Sequence, residues 1–504
     1  MGILRFPIPI ISPQFIFLDF DQNPSPNLIM KIKHNDITIP ADNPFEHCKL
    51  DRKKYADALT SVVAGYKNGF VLSINNPWGT GKTTFIKMWQ AQLTQLTFRT
   101  LYFNAWENDF DRDPLVAIMS ELNTLRNKKN EKLFTSVIQK AAVISKNIAP
   151  GLVKAIIGKH LDSEILLDAI KGTTESATEI FKEEIDNYAK KKKGLIEFRE
   201  DLEKYIKAHN DGKPLVFIID ELDRCRPDYA VEVLEQIKHF FNVPGIVFVL
   251  SIDKVQLGNA VRGFYGSERI ESNEYLRRFI DLEFSLPPPE SGVFARYLFE
   301  YFDFDTYFKA PERSAYRELQ EDSEAFIHFA IRLFSVTGLT LRQQEKVFSA
   351  ARTILNTFTI NNYLFPSIFI LLIYIKDFRP DFYSMLMAKD TPYQNIIDEL
   401  AQVFPKNIDH DDEMTFLVPE VTLLLMYQNS LLRKGKLQQL TEKNEQNKDT
   451  LLVKSCVDAT LGGSHFLGVL ETLRRKGSFS VSIDHLINKI NLMESFKTDL
   501  GLPS

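Results

Sequence analysis

A glycine-rich turn set between an apolar run and a helix-like stretch constrains this chain more than any other feature. Phe70–Ile74 leads, through Gly81-Lys82-Thr83-Thr84, into Phe85-Ile86-Lys87-Met88-Trp89. Strand, turn and helix in that order leave backbone N–H groups and a helix N-terminus to hold the β- and γ-phosphates of a nucleotide. The phosphate-loop pattern is Gly-x4-Gly-Lys-[Ser/Thr]. Here it runs Asn76-Pro77-Trp78-Gly79-Thr80-Gly81-Lys82-Thr83, with Asn76 where the first glycine is expected. Asn tolerates the left-handed backbone region better than other ordinary residues. The expectation is therefore that Asn76 replaces glycine through its backbone conformation.

Leu215-Val216-Phe217-Ile218-Ile219 is an unbroken apolar, β-branched run that ends in Asp220-Glu221. Such a run fits a central parallel strand covered on both faces. Its acids stand where open α/β sheets bind ligands. Downstream of a Lys82-Thr83 loop, Asp220 is expected to hold Mg²⁺ together with Thr83, and Glu221 to orient and deprotonate water. Gly245–Ile252, ending in Asp253, and Thr100–Asn104 are further strand candidates, and Asp228–Phe241 has helical apolar spacing. The alternation predicts an α/β fold with a doubly wound parallel sheet.

Val216–Cys225, with its Asp-Glu-Leu-Asp-Arg-Cys ending, resembles the hallmark of KAP-type P-loop NTPases. Asp42-Asn43-Pro44 with Asp51-Arg52 and Tyr55-Ala56, the Trp78-containing loop, Phe103-Asn104-Ala105-Trp106, Val233–Lys238 with Asn242–Gly245, and Tyr275–Ile280 resemble the family in the same order. The resemblance spans about residues 42–287. It implies an ATP- and Mg²⁺-dependent NTPase with an extra catalytic acid beside the metal-binding aspartate. Many bacterial members act in anti-phage defence or plasmid exclusion, and several carry transmembrane helices between the two nucleotide motifs.

For such an enzyme Lys82 neutralises phosphate charge, and Asn76, Gly79, Thr80, Gly81, Thr83 and Thr84 complete the cradle. Asp253, with Ser251, is placed to sense the γ-phosphate. Asp223 is a second acid, either an alternative base or a cap ordering the turn through Arg224. Phosphoryl transfer also needs a cation in the transition state. Arg278, at the position where the family carries a basic residue, and Arg277 are candidates from a neighbouring subunit, and Arg342 is a candidate sensor from the C-terminal half.

The interval between the motifs holds an insertion of about residues 126–210. Its most apolar piece, Val137–Ile157, is broken by Lys140, Lys146, Lys154 and Pro150-Gly151, which argues against a membrane span. The Lys190–Lys193 run reads as a solvated helix face. The net charge of −5 gives no global drive toward nucleic acid or anionic membrane. Three scattered cysteines point to a reducing cytoplasm without disulfides or a metal site. Residues 1–41 are expected to form an extension, its proline-rich first 29 residues preceding a natural start at Met30. Leu286–Gly292 marks a linker.

Residues 288–504 are then expected to form a mostly α-helical domain, with helices near Phe294–Phe302, Ser323–Phe334, Leu341–Leu355, Pro366–Lys376 and Val418–Leu432. Arg433–Asp449 reads as a loop or exposed helix, and Asp409–Glu413 as a solvated acidic turn. The expected function is an ATP-hydrolysing switch or motor in bacterial defence, working as a homo-oligomer or with a partner protein. The alternatives are a nucleotide-gated scaffold with little turnover and a DNA-dependent ATPase.

Overall fold

The computed structural model describes residues 37–498 apart from 67, 111–112, 145–176, 209–211, 291, 406–407, 409–411, 437 and 476–479. The expectations for residues 1–29, for most of the Met30–Ile39 segment, for residues 145–157 of the Val137–Ile157 piece and for Asp409–Asp411 lie outside the described residues.

Five strands, β1 (Phe70–Asn75), β2 (Thr100–Asn104), β3 (Leu215–Asp220), β4 (Ile246–Ile252) and β5 (Leu282–Phe284), form a parallel sheet in the order β2-β3-β4-β1-β5. Every residue of β3 and β4 is buried, as their unbroken apolar runs require. β4 thus separates the strand carrying the phosphate loop from the strand carrying the acids. The register pairs Asn104 with Asp220, Asp220 with Ser251, and Ile252 with Asn75. The polar ends of four strands therefore lie along one edge of the sheet.

Alternate side chains divide between two cores. Val216, Ile218, Val247 and Val249 pack beneath helices α1 (Lys53–Gly65) and α2 (Lys82–Gln95), where Leu59, Val63, Phe85 and Trp89 are buried. Phe217, Ile219, Phe248 and Leu250 face the opposite core. That core draws on α3 (Pro114–Asn123), α4 (Glu131–Ile144), α5 (Ala177–Lys207), α6 (Pro227–His239) and α7 (Lys254–Tyr265). The pair α4 and α5 is the described part of the insertion. It is held by Phe134, Phe198 and Tyr205 and by the ion pair of Lys140 on α4 with Glu197 on α5. Lys190–Lys193 are exposed on α5. The short helix α8 (Ser272–Arg277) precedes β5.

Beyond the proline-rich linker the chain is mostly helical, beginning with α9 (Val293–Tyr301), α10 (Asp322–Thr337), α11 (Leu341–Leu355) and α12 (Pro366–Phe378). Residues 368–375 of α12 are buried throughout in the helical core, which accounts for their apolarity. No helix among the described residues is long and apolar enough to cross a membrane. The polar stretch after the helix Glu413–Arg433 is neither loop alone nor helix. It contains an antiparallel hairpin pairing Thr441–Lys443 with Asp449–Leu451. Three-residue strands are too short for a two-residue repeat to be visible in sequence.

α11 approaches the sheet. Thr340 and Gln343 form a reciprocal capping box at its N-terminus, and the Arg342 N–H then donates to the Gly79 carbonyl at 3.1 Å. The helical half therefore touches the phosphate loop directly.

Candidate functional site

The loop between β1 and α2 turns on two glycines, Gly79 and Gly81, each with φ of 78°. A side chain in that left-handed region is strained. Gly81 also begins α2 without a side-chain cap, so the first N–H groups of the helix have no side-chain cap acceptor. Lys82 is 9% exposed, and its ammonium group donates to the carbonyls of Asn76 and Pro77, the latter at 3.3 Å. Burial holds the lysine below its ordinary pKa, opposed by the charges of Asp223, Asp253 and Asp220.

Asn76 does not take the left-handed conformation expected of it, since it is not among the positive-φ residues. Its amide instead forms a reciprocal pair with Leu286, donating to the carbonyl at 2.8 Å and accepting from the N–H at 2.7 Å. The asparagine ties the loop to the segment after β5. Its side chain, not its backbone tolerance, accounts for the departure from glycine.

Lys82, Thr83, Thr84, Gly79 and Gly81 line a cleft of about 580 Å³ that Asp220, Glu221 and Asp223 also line. Asp220 is buried at the end of β3, where Oδ2 accepts from the Tyr102 hydroxyl at 3.0 Å. Glu221 sits at φ 60°, unusual for a residue with a side chain. Its carboxylate meets the Arg224 guanidinium at 3.0 Å and the Asn104 side chain. Burial pushes the Glu221 pKa up and Arg224 opposes the rise, while Asp220 and Asp223 add to it. Arg224 in turn lies over the rings of Trp78 and Trp106, 6.0 and 5.7 Å from their centroids.

The arginine of the Asp-Glu-Leu-Asp-Arg-Cys turn thus pairs with Glu221, not with Asp223. Asp223 accepts from the Trp78 indole N–H and the Asp253 backbone N–H, and burial raises its pKa. Cys225 is buried behind this turn, its thiol 3.6 Å from the Glu221 carbonyl and its pKa raised by burial.

Other candidates stand apart from the cleft lining. The Thr80 hydroxyl donates to the Pro77 carbonyl at 2.8 Å, and Thr80 lines a neighbouring cleft with Asn76 and the 286–290 linker. Asp253 caps α7 through the N–H groups of Val255 and Gln256. Ser251 is fully buried in β4. Arg278 is exposed at the end of α8, where its carbonyl accepts from Lys238, and Arg277 pairs with Glu274 at 2.5 Å. Glu413, which the sequence placed in an acidic turn, meets His465 Nδ1 at 2.6 Å near Asp458. Asp458 is already engaged by Thr460 and the Phe466 N–H.

The arginines that line the cleft are Arg52, Arg224 and Arg342. No role was assigned to Arg52 from sequence. It is 5% exposed, and its guanidinium donates to the carbonyls of Thr80 at 2.8 Å and Gly81 at 3.0 Å. No spacing rule marks such a residue, and only its place in the Asp51-Arg52…Tyr55-Ala56 stretch could have drawn attention to it. Ile37, Ile39, Leu50, Phe294, Tyr297 and Leu341 add apolar and aromatic surface to the cleft lining.

An uncharacterized protein of Methanocaldococcus jannaschii is 29% identical over 178 residues, covering 31% of this chain and 90% of that protein. Among solved structures, the Aeropyrum pernix ORC2 protein, determined as ADPNP-ADP complexes, is similar with a TM-score of 0.28 and 12% identity. It covers 85% of this chain and 95% of its own. The Drosophila ORC bound to DNA is similar with a TM-score of 0.33 and 13% identity, over 85% of this chain and 97% of its own. The model of the KAP family P-loop domain matches residues 52–363, running past the 286–292 linker and through α9, α10 and α11. With its phosphate loop, the acids of β3 and this match over more than half its length, the chain belongs to the KAP family of P-loop NTPase domains.

Proposed function

We propose that this protein binds ATP with Mg²⁺ and hydrolyses it, and that the helical half converts the nucleotide state into a switch or motor. The observation carrying this reading is that Lys82 and Thr83, on one strand-loop-helix unit, share a cleft with Asp220 and Glu221 from another strand. The Thr83 hydroxyl and Asp220 carboxylate are hard oxygen donors of the kind Mg²⁺ takes. When bound there, the ion would supply charge to offset that of the phosphate oxygens. Lys82 orients and neutralises the same phosphates, and the apolar and aromatic part of the cleft lining fits a base. Glu221, its pKa already raised by burial, takes a proton from water once it leaves Arg224.

The family resemblance supports a role in bacterial anti-phage defence, in the cytoplasm, as a homo-oligomer or with a partner protein. Arg278, exposed at the end of α8, is available to a neighbouring subunit's site. Mg²⁺-dependent ATP hydrolysis by the purified protein tests the reading. Lys82→Ala is expected to abolish nucleotide binding, and Glu221→Gln to retain binding while lowering turnover by about 10²–10⁴. Turnover rising with protein concentration supports an arginine supplied in trans. Hydrolysis that survives both substitutions would refute the assignment.

The pairing of Glu221 with Arg224 and Asn104 favours a second reading, a nucleotide-gated scaffold whose base stays restrained. Stoichiometric ATP binding without turnover, at any protein concentration, would select it.

A further inference from the structure

Three consecutive carbonyls of the phosphate loop are held by groups outside the sheet. Gly79 O accepts from the Arg342 N–H, Thr80 O from Arg52 Nη2, and Gly81 O from Arg52 Nη1 as well as from the Phe85 N–H that opens α2. Thr80 O is therefore the carbonyl of the three held by Arg52 without help from the helix. The peptide unit is planar and trans, so the carbonyl of one residue and the N–H of the next point in opposite directions. A group that fixes the carbonyls of Thr80 and Gly81 therefore also fixes the N–H groups of Gly81 and Lys82, turned away from it. Gly79 and Gly81 are the two positions where such peptide units could rotate, because glycine populates both signs of φ.

We propose that Arg52 is a positioning residue that presets the phosphate loop's N–H groups for a nucleoside triphosphate, a role that rests on the nucleotide-binding reading above. The chemistry of the side chain suits it. A guanidinium is a planar fork that reaches two adjacent carbonyls at once, which an ammonium on a flexible stem does not do. Arg52 is also 5% exposed and, among the described residues, pairs with no carboxylate. A buried cation without a counter-ion also favours an anion on the far side of those peptide units, at longer range than a direct pair. The fork sets the direction of the donors, and its charge adds to the pull on phosphate. A Cβ at Gly81 would lie 3.0 Å from Arg52 Nη1, so loop and guanidinium are in direct contact.

The binding of Mg-ATP, tripolyphosphate and adenosine to the full chain, Arg52→Lys and Arg52→Gln, measured by titration calorimetry, tests this role. Loss of one charge-assisted bond should weaken Mg-ATP and tripolyphosphate by about 10-fold in Arg52→Lys, and loss of the charge as well by about 100-fold in Arg52→Gln. Adenosine, lacking phosphates, should bind all three proteins within about twofold, and kcat at saturation should change far less than KM. Arg52→Lys alone carries the test if Arg52→Gln does not fold. Wild-type affinity in Arg52→Lys would overturn the proposal, because charge without the fork would then suffice. Equal loss of adenosine and Mg-ATP would also overturn it, since that pattern belongs to a collapsed cleft. If the unmutated chain binds neither Mg-ATP nor tripolyphosphate, the nucleotide reading falls and this role falls with it.

Discussion

Restoring glycine at the first position of the phosphate loop should harm this protein. The Asn76 amide makes two hydrogen bonds to Leu286, at 2.8 and 2.7 Å, and Leu286 is 3% exposed. Removing the amide forfeits both bonds and leaves a buried N–H and a buried carbonyl without their partner. At about 1 kcal/mol for each bond, and more where a buried group stays unsatisfied, Asn76→Ala should cost about 2–4 kcal/mol. Asn76→Gly should cost about 0.5–1 kcal/mol beyond that, because the freer backbone loses more entropy on folding. If Asn76 stood in for glycine through backbone conformation, the order would be reversed and Gly would be the better tolerated. Urea unfolding followed by tryptophan fluorescence separates the two. All three tryptophans, Trp78, Trp89 and Trp106, lie in or beside the nucleotide core, so the signal reports that unit and not the helical half. A lower midpoint at unchanged slope, with Gly below Ala, is the expected result. Gly more stable than Ala, or both equal to wild type, would refute the clamp.

Two further outcomes follow from the same contacts. Arg224 opposes the rise that burial imposes on the Glu221 pKa. In Arg224→Gln the carboxylate should therefore protonate at still higher pH. The acid limb of the kcat–pH profile, below which activity falls as Glu221 takes up its proton, should move to higher pH, and an unmoved limb would remove Glu221 from the role of base. Gly79→Ala places a Cβ 2.9 Å from the Arg342 Cβ and 3.0 Å from Thr340 Oγ1, at a φ of 78°. It should cost about 1–3 kcal/mol, seen as a lower melting temperature, and weaken ATP by displacing α11. A melting temperature equal to wild type would show that α11 does not bear on the loop.

What could be read from the sequence divides along a physical line. Lys82, Thr83, Asp220 and Glu221 were legible because each sits at the end of a buried strand or the start of a helix. Local pattern places such residues on one edge of a parallel sheet. The unbroken runs of β3 and β4 announced their burial in the same way. Partnership was not legible. Asn76 and Leu286 are separated by 210 residues, and Arg52 lies 28 and 29 residues before the carbonyls that it holds. Nothing in a side chain's neighbours along the chain says which distant backbone group it will meet. The turn at Asp220–Cys225 shows the same limit over three residues. Asp223 and Glu221 were both available to Arg224, which meets Glu221, a residue with a left-handed backbone, while Trp78 takes Asp223.

The contacts that sequence did not reveal are those that tie the phosphate loop to the rest of the chain. The sheet alone brings lysine, threonine and acids together, yet four of the loop's residues, Asn76, Gly79, Thr80 and Gly81, are tied to groups outside β1 and α2. Asn76 is tied to the linker that begins the helical half, and Gly79 to the first turn of α11. Any movement of the helical half that breaks the Arg342–Gly79 contact frees the peptide unit whose N–H belongs to Thr80, at the turn between β1 and α2. By reciprocity of linkage, a ligand that holds that N–H in place favours the docked position of α11. Under the proposed nucleotide reading such a coupling needs no extra element, because one backbone unit meets the helical half through its carbonyl and leaves its N–H to a ligand.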